Sequence, residues 1–302
     1  MRRIGFIGAA GLMGHGMAKN VQAKGHALHV LLHANRERAA DLLAAGAVEV
    51  DNAAELARAC DAVVLCVPSS VEVEACVFGR SGILDGAHPG LTVIDTTTAE
   101  PASTAKVHEA LAAAGIAFAD APLMRSPPQA EAGRLNTVVG ADAAVFEAIP
   151  PLLATYCENN WHVGPVGAGH TLKLVNNFIA QGTAALIAEA CVTATKAGVD
   201  LERLVEVIGE GGANSGVFQR MMPWVLGKGE GGMIFKMRNA QKDVRYYTRL
   251  AEHLGVASFL GQAVHQSFVL ARAQGEGEDW VPSLARGLGR ANGVALGPRP
   301  AL

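Results

Sequence analysis

The stretch that decides the fold is R-I-G-F-I-G-A-A-G-L-M-G-H-G-M-A-K-N-V-Q-A-K, residues 3–24. Its opening part, up to residue 8, is mostly apolar and predicts a short buried strand. Met13, Met17 and Val21 then recur at the spacing of one helix face, so a helix is predicted over residues 15–24. A glycine-rich turn joins the two elements, and its glycines are Gly8, Gly11 and Gly14.

This strand, glycine turn and helix have the order found in dinucleotide-binding folds. In such folds the turn lets the backbone approach a pyrophosphate, and the N-terminus of the helix points at the negative charge. The spacing here is GxxGxxG, one residue longer than GxGxxG, in a chain with 35 glycines among 302 residues. The prediction therefore depends on where the triplet lies, between a strand and a helix, and the alternative is an ordinary turn.

The rest of the first half alternates predicted strands and helices. Further strands are predicted over residues 28–33, 62–67, 92–95, 116–120, 136–139 and 156–163. Helices are predicted over residues 36–45, after the capping signal at Asn52, and over residues 101–115. Such alternation predicts parallel strands with crossover helices, and ligands then bind at the carboxyl ends of the strands.

After Gly167 the pattern becomes helical. Helices are predicted over residues 170–198, 201–210, 217–226, 239–254 and 263–274, and residues 297–302 are expected to be loose. We therefore predict an α/β chain in which a Rossmann-type, doubly wound sheet over residues 1–164 binds NAD(P). An all-α domain over residues 165–302 is predicted to follow, joined through a long central helix.

Composition places the chain among ordinary globular proteins. Half of its residues are hydrophobic and the net charge is −3, without the basic patch of a nucleic-acid-binding protein. No run of about 18 apolar residues predicts a membrane span, and we expect no signal peptide before the first strand. The five cysteines form no C-x-x-C pair, and His26 and His29 fall on opposite faces of a predicted strand. We expect a cytoplasmic protein without nucleic-acid, membrane or metal partners.

A polar face on the long central helix is the strongest candidate for catalysis. Lys173 and Asn177 are four residues apart, so their side chains are neighbours on one side of the helix. Leu172, Val175 and Ile179 form an apolar row on another side of this helix, which is expected to be buried. A lysine in an enclosed site suits proton transfer, and the alternative is a solvated lysine on an amphipathic helix.

Five sequence motifs follow one another in an order that is typical of one enzyme family. They are G-F-I-G to G-L-M-G-H-G-M-A-K-N at 5–20, D-x-T-T-x-x-P at 95–101, D-A-P-L-M-R-S with G-R-L at 120–135, G-x-G-x-x-x-K-x-x-N-N at 167–177, and Phe235 with Lys242-Asp243. The matches extend from about residue 4 to about residue 254. In this pattern the chain resembles the β-hydroxyacid dehydrogenases, which include 3-hydroxyisobutyrate dehydrogenase and tartronate semialdehyde reductase.

The resemblance implies an NAD(P)-dependent oxidoreductase that interconverts a small anionic β-hydroxy acid and its semialdehyde or oxo acid. It implies that Lys173 is the general acid/base and that Asn177 holds substrate or lysine in position. The implied substrate-binding residues are Leu123, Met124, Arg125, Ser126 and Asn176. The implied cofactor-binding residues are Gly8, Ala10, Gly11, Leu12, Met13, His33, Asn35, Arg36, Val67, Pro68, Thr98 and Lys242. The helical domain over residues 165–302 is implied to serve substrate binding and dimerisation. A homodimer or homotetramer is also implied, since the long helix of the family packs against a partner.

The end of the second predicted strand decides between NAD and NADP. An acidic residue there would hold the ribose hydroxyls of NAD, but the chain has His33-Ala34-Asn35-Arg36. Arg36 suits a 2′-phosphate, so the sequence favours NADP. The alternative is that Arg36 and Arg38 lie on the solvated start of a helix.

The substrate loop departs from the family pattern. The small S-G-G of the family is replaced by Met124-Arg125-Ser126, so an arginine stands where backbone donors of glycine would bind a carboxylate. An arginine in this loop also resembles the sulfolactaldehyde reductases of the family. In the alternative, Arg125 points into solvent.

Three functional hypotheses remain open on the sequence alone. The first is an oxidoreductase of a small hydroxy acid, and the second is a reductase of a sulfonated or larger acid aldehyde, which Arg125 suggests. The third is a non-catalytic dinucleotide-binding scaffold. The retained Lys173 and Asn177 argue against the scaffold, which has no need of a lysine on an enclosed face. In oxidation Lys173 must first be neutral, so its pKa would have to fall from about 10.4.

Overall fold

The structure, a computed structural model, describes residues 1–33, 35–229 and 231–298. It divides into two compact units, Met1–Lys173 and Leu174–Leu302. The domain boundary after residue 164 stays a prediction, because the division of the structure falls inside the long helix. Ala34 of the loop after the second strand and the terminal residues 299–302, which were expected to be loose, lie outside the described residues.

The first unit is built on a nine-stranded sheet. Its strands are β1 (Arg3–Ile7), β2 (Ala27–Leu31), β3 (Val48–Val50), β4 (Ala62–Leu65), β5 (Thr92–Asp95), β6 (Ala117–Asp120), β7 (Leu123–Met124), β8 (Leu135–Ala141) and β9 (Cys157–Gly164). The order is β3-β2-β1-β4-β5-β6-β8-β7, with β9 paired to β8. This is the predicted Rossmann-type sheet, and the sequence missed only its two shortest strands, β3 and β7.

The prediction of parallel strands holds for only part of the sheet. All neighbours from β3 to β6 are parallel, as is the pair β8 and β9. Strand β8 runs antiparallel to both β6 and β7, so the sheet is mixed. The chain between β6 and β8 contains strand β7 and a helix of only five residues, Pro127–Glu131, and so lacks the long crossover helix that usually joins parallel neighbours.

Both faces of the sheet are covered, as a doubly wound fold requires. Ile4 and Phe6 of β1 pack into one hydrophobic cluster, and Ile7 packs into another, because successive side chains of a strand point to opposite faces. The helices of this unit are α1 (Gly14–Ala23), α2 (Ala40–Ala44), α3 (Ala53–Ala59), α4 (Ser70–Phe78), α5 (Ile83–Gly86), α6 (Pro101–Ala113), α7 (Pro127–Glu131), α8 (Ala143–Ala148) and α9 (Pro150–Leu153).

Local sequence signals account for some of these helices and not for others. The side chain of Asn52 accepts a hydrogen bond from the backbone of Glu55, as the predicted capping signal requires. Helix α4 was not predicted, although Ser69 caps it by accepting from the backbone of Val71. The helix predicted over residues 36–45 is a 3₁₀ turn, Arg36–Ala39, that leads into α2.

The second unit is helical, as the sequence predicted. Its helices are α10 (Ala168–Lys196), which begins in the first unit, α11 (Leu201–Gly209), α12 (Gly216–Val225), α13 (Met237–His253), α14 (Phe259–Ala273) and α15 (Leu284–Ala291). Helix α15 was not predicted. The described residues of this unit form no strand, and an isolated bridge joins Lys236 to Trp280.

Helix α10 is less buried than its composition suggested. Ile179 and Leu186 leave 62% and 68% of their surface exposed, so the apolar row that includes Leu172 faces outward in the single chain. The expectation that this side is buried is therefore wrong for the chain alone. Among the described residues α10 is the one helix that is long and apolar enough to cross a membrane, by length and composition alone, although the sequence predicts no membrane span.

Candidate active site

Two glycines of the turn after β1, Gly8 and Gly14, are packed too tightly for a side chain. Gly8 has a φ of +100°, and a Cβ at this position would overlap the carbonyl oxygen of Cys66. A Cβ at Gly14 would overlap the carbonyl oxygen of Gly8, to which the amide of Gly11 donates a hydrogen bond of 2.9 Å. Helix α1 begins at Gly14, so its first amides, which lack partners within the helix, face the turn. This cradle suits a pyrophosphate.

The loops after β1, β4 and β5 lie side by side because these strands are neighbours in the sheet. The amide of Val67, after β4, donates to the hydroxyl of Thr97 at 3.3 Å, and Thr98 follows directly. The structure therefore brings together most of the predicted cofactor residues at one edge of the sheet. Those residues are Gly8, Ala10, Gly11, Leu12, Met13, Val67, Pro68 and Thr98.

The predicted 2′-phosphate site is exposed and carries an ion pair. His33, Asn35 and Arg36 all lie on the surface after β2. The guanidinium of Arg36 contacts the carboxylate of Glu49 on β3, and 65% of its side chain is exposed. Exposed ion pairs contribute only about 0–1 kcal/mol, so Arg36 can exchange this carboxylate for a phosphate at little cost.

The substrate loop has an unusual backbone at Arg125. This residue has a φ of +77°, a conformation that glycine adopts freely and other residues rarely adopt. The loop thus keeps a glycine-like backbone with an arginine side chain. The side chain of Leu123 is buried in the core, so this residue can offer a substrate only its backbone. Met124 is half-buried, and the hydroxyl of Ser126 donates to the side-chain oxygen of Gln129.

The guanidinium of Arg125 is already paired. It donates to the carboxylate of Glu158 on β9 and to the backbone carbonyl of Arg134 at 2.6 Å. A substrate acid group would therefore have to replace Glu158. Both side chains of this ion pair are substantially exposed, so the exchange costs little.

Asp120, at the end of β6, anchors the start of helix α10. Its two carboxylate oxygens accept from the amides of Gly167 and His170, each at 2.7 Å. A Cβ on Gly169 would lie 2.7 Å from the backbone oxygen of Asp120, so this glycine is required for the close approach. The sequence motif contained these residues, but it did not reveal that Asp120 caps the helix that carries Lys173.

A buried polar cluster lies beneath this helix start. His170 is fully buried, and its Nδ1 atom lies 2.7 Å from the hydroxyl of Thr104. Its Nε2 atom lies 3.9 Å from a carboxylate oxygen of Asp95. Burial raises the pKa of Asp95, although the nearby His170 opposes this shift. The sequence pattern does not predict this cluster, because Thr104 and His170 are 66 residues apart in the chain.

Lys173 and Asn177 follow on successive turns of α10. Lys173 is half-buried, whereas Asn177 is 6% exposed and donates to the carboxylate of Asp243 at 2.7 Å. The side-chain amide of Asn176 donates to that of Asn177 at 3.1 Å. In the same helical unit the ammonium of Lys242 lies 3.0 Å from Asp243. Asn177 and Lys242 thus share one carboxylate, which fixes the orientation of both.

Thiol and metal chemistry find no support among the described residues. All five cysteines are free, and burial raises the pKa of Cys60 to about 12 and that of Cys66 to about 11. These thiols are therefore protonated at neutral pH and poor nucleophiles. In the described ranges no group of three or more His, Cys, Asp or Glu side chains could hold a metal ion.

Comparison with known proteins agrees with this arrangement. Residues 3–164 match the family described as the NAD binding domain of 6-phosphogluconate dehydrogenase. Residues 167–286 match the family described as NAD-binding of NADP-dependent 3-hydroxyisobutyrate dehydrogenase.

Two curated relatives and one solved structure resemble the chain over nearly its whole length. It is 31% identical over 296 residues to 2-(hydroxymethyl)glutarate dehydrogenase of Eubacterium barkeri, covering 97% of both chains. It is 31% identical over 281 residues to 3-sulfolactaldehyde reductase of Escherichia coli, covering 93% of this chain and 94% of the relative. The structure of Mycobacterium tuberculosis 3-hydroxyisobutyrate dehydrogenase with L-serine superposes with a TM-score of 0.86 at 25% identity, covering 95% and 99% of the two chains.

The fold, the glycine turn and these matches define an NAD(P)-dependent oxidoreductase. More particularly, the chain belongs to the 3-hydroxyisobutyrate dehydrogenase family of β-hydroxyacid dehydrogenases. Relatives in this family act on small hydroxy acids and aldehydes, as their names state.

Proposed function

We propose that the protein interconverts a small β-hydroxy acid and its semialdehyde or oxo acid, with Lys173 as the proton donor and acceptor. The observation that carries this proposal is the placement of Lys173 on a helix start that Asp120 fixes by two hydrogen bonds of 2.7 Å. A proton-transfer group must be held in a defined position, and this anchor supplies it.

The cofactor would be held by the glycine turn and the neighbouring loops. The cradle at Gly8 and Gly14 offers backbone amides to the pyrophosphate, and Val67 and Thr98 lie at the same sheet edge. Lys242, whose ammonium Asp243 orients, is proposed as a further cofactor contact from the helical unit. When bound, the nicotinamide dinucleotide supplies or accepts the hydride at the carbinol carbon of the substrate.

Lys173 would move the proton at the substrate oxygen. During reduction, its ammonium donates a proton to the carbonyl oxygen as negative charge develops there. During oxidation, the neutral amine accepts the hydroxyl proton. Asn177 would hold the substrate oxygen or the lysine, since its own amide is fixed by Asp243 at 2.7 Å.

The acid end of the substrate would lie at the loop over residues 123–126. The backbone there keeps a glycine-like φ at Arg125, so its amides remain available as donors. Met124 would line the loop, and Ser126 and Asn176 would add polar contacts after small rotations. Arg125 would exchange Glu158 for the substrate anion. This guanidinium distinguishes the loop from one built of glycines, which can offer only backbone donors.

A sulfonated or larger acid aldehyde is the second candidate substrate. The observation that favours it is Arg125 itself, since a guanidinium can bind a sulfonate as well as a carboxylate. The chain is 31% identical to a relative named 3-sulfolactaldehyde reductase. Sulfonated aldehydes should therefore be included among the substrates that are tested.

The direct test is a set of initial rates with hydroxy acids and semialdehydes of about three to five carbons, each assayed with NADP and NAD. A sulfonated aldehyde belongs in the same panel. Turnover of at least one acid substrate supports the proposal. Dinucleotide binding without turnover of any of them would instead favour a non-catalytic scaffold.

We further propose a cytoplasmic homodimer or homotetramer. The exposed apolar row on α10, which includes Ile179 and Leu186, is a surface that a second copy can cover. Light scattering of the purified protein measures the assembly directly. A monomer at micromolar concentration would contradict this part of the proposal.

The cofactor preference is expected to be for NADP, with Arg36 as its cause. Arg36→Ala should raise the KM for NADP about tenfold and leave the KM for NAD nearly unchanged, because only NADP has a 2′-phosphate. Glu49→Gln should lower the KM for NADP, since it releases the guanidinium. Arg38→Ala, an exposed arginine on the same 3₁₀ turn, is the matched control. Equal use of both cofactors by the wild type would contradict this prediction.

A further inference from the structure

Helix α1, which begins at the glycine turn, is tied to helix α7, which follows the substrate loop. A Cβ on Gly16 would overlap the backbone of Ala130, so the two helices are in direct backbone contact. The side-chain amide of Asn20 donates to the carbonyl oxygens of Ala130 and Glu131 at 3.1 and 3.2 Å. Helix α7 starts one residue after Ser126. The position of the substrate loop is therefore set by the helix of the cofactor turn.

His15 adds an ionic connection to the same pair of helices. Its Nδ1 atom lies 2.7 Å from the carboxylate of Glu131 on α7, and its Nε2 atom lies 3.0 Å from the carboxylate of Asp41 on α2. The imidazole is only 15% exposed and occupies the first turn of α1, directly after Gly14. The His15 side chain thus joins three helices: α1 at the cofactor turn, α7 after the substrate loop, and α2, which follows the turn that contains Arg36.

The geometry requires a positively charged ring. Ionised carboxylates only accept hydrogen bonds, and a neutral imidazole has a single N–H, so contacts from both ring nitrogens call for the imidazolium. Burial alone would lower the pKa of His15, but the hydrogen bonds to Asp41 and Glu131 outweigh it and the pKa is raised. A further charged group at this place is Lys19 of α1, whose ammonium lies 3.6 Å from Glu131.

We propose that His15 is a positioning residue whose imidazolium holds the cofactor turn and the substrate loop in one arrangement, so that the apparent affinities for dinucleotide and for acid both depend on its protonation. Loss of the proton removes one of the two hydrogen bonds. It also removes this cation from the carboxylate of Asp41 and leaves Glu131 with Lys19, next to the turn proposed to bind the pyrophosphate. The acid-binding part rests on the proposed function, whereas the dinucleotide part rests on the family alone.

The direction of the pH dependence follows from the raised pKa of His15. A group whose pKa is raised in the folded state stabilises that state fully below its unfolded pKa, which is about 6.5 for histidine. This contribution is lost as the pH rises through the folded-state pKa. Because the same imidazolium is proposed to hold the cofactor turn in its binding arrangement, affinity for the dinucleotide should also be highest in mild acid and fall as the pH rises through this pKa.

The test measures the dissociation constant of NADH by its fluorescence between about pH 6 and pH 9, without turnover. NADH is the probe because the 2′-phosphate of NADPH titrates near pH 6 and would confuse the profile. For the wild type we expect the dissociation constant to rise about three- to tenfold across this range. His15→Gln should give a flat profile at the weak, alkaline level. His253→Gln, at an exposed histidine of α13, should retain the wild-type profile.

A second variant and a stability measurement distinguish a positioning role of His15 from a simple loss of protein stability. Glu131→Gln removes the ionic contact of His15 with α7 and leaves the Asn20 contacts with α7 in place, so it should raise the KM for the acid about three- to tenfold while NADH binding in mild acid changes less than twofold. Thermal unfolding of each variant reports stability separately. A flat wild-type profile, or a His15→Gln variant that is less stable but retains the slope, would overturn the proposal. An unchanged KM for the acid in Glu131→Gln would overturn the coupling to the substrate loop.

Discussion

Replacing Lys173 with alanine should lower kcat by about 10²–10⁴-fold, which is the usual contribution of a positioned general acid/base. The dissociation constant of NADPH or NADH should change less than about twofold, because Lys173 lies on α10 and not in the glycine turn. Helix stability should hardly change, since alanine is the best helix former. Initial rates and cofactor fluorescence titrations measure the two quantities independently.

Two further variants show whether the lysine acts by proton transfer. Lys173→Arg keeps the positive charge but remains protonated at all usable pH values, so it should be as impaired as the alanine variant in oxidation. Small primary amines added to the alanine variant should restore part of the rate if a proton donor is what it lacks. Lys196→Ala, at the other end of the same helix, is the matched control. A Lys173→Ala variant within a few-fold of wild type would remove Lys173 from the mechanism.

The fold was predictable where local pattern and topology agree. The strand, glycine turn and helix at the start of the chain fall within one residue of their predicted places, because hydrophobic period and glycine spacing act over short distances. The antiparallel course of β8 was not predictable in this way. Its direction depends on how the segment after β6 packs, and the hydrophobic pattern of a buried strand is the same in either direction.

The sequence motifs predicted which residues belong to the candidate site, but they did not predict which of these residues contact one another. The sequence places Lys173 and Asn177 on one helix face, since that follows from helix geometry. It could not show that Asp120 caps this helix, or that His15 pairs with a carboxylate 116 residues away. Nor could it show that Arg125 pairs with Glu158 on β9. Each of these contacts depends on tertiary packing between distant segments.

Arg125 is expected to bind the acid group of the substrate in exchange for Glu158. A charged hydrogen bond to an anion contributes about 1.5–3 kcal/mol, so loss of the guanidinium should lower kcat/KM for a free acid roughly ten- to a hundredfold. Arg125→Gly is the best variant, because glycine adopts the φ of +77° without strain and keeps the backbone donors in place. Arg125→Lys should recover only part of the loss, since an ammonium cannot form the bidentate contact.

The comparison of a free acid with its methyl ester isolates the charge contribution. The wild type should strongly prefer the free acid, and Arg125→Gly should lose most of that preference. Glu158→Gln should keep the preference and lower the KM for the acid, because it removes the carboxylate that competes for the guanidinium. If wild type and Arg125→Gly discriminate equally and Glu158→Gln changes nothing, the anion is bound by the loop amides and Ser126. Arg125 would then serve to fix the loop against β9, and the left-handed backbone alone would carry substrate recognition.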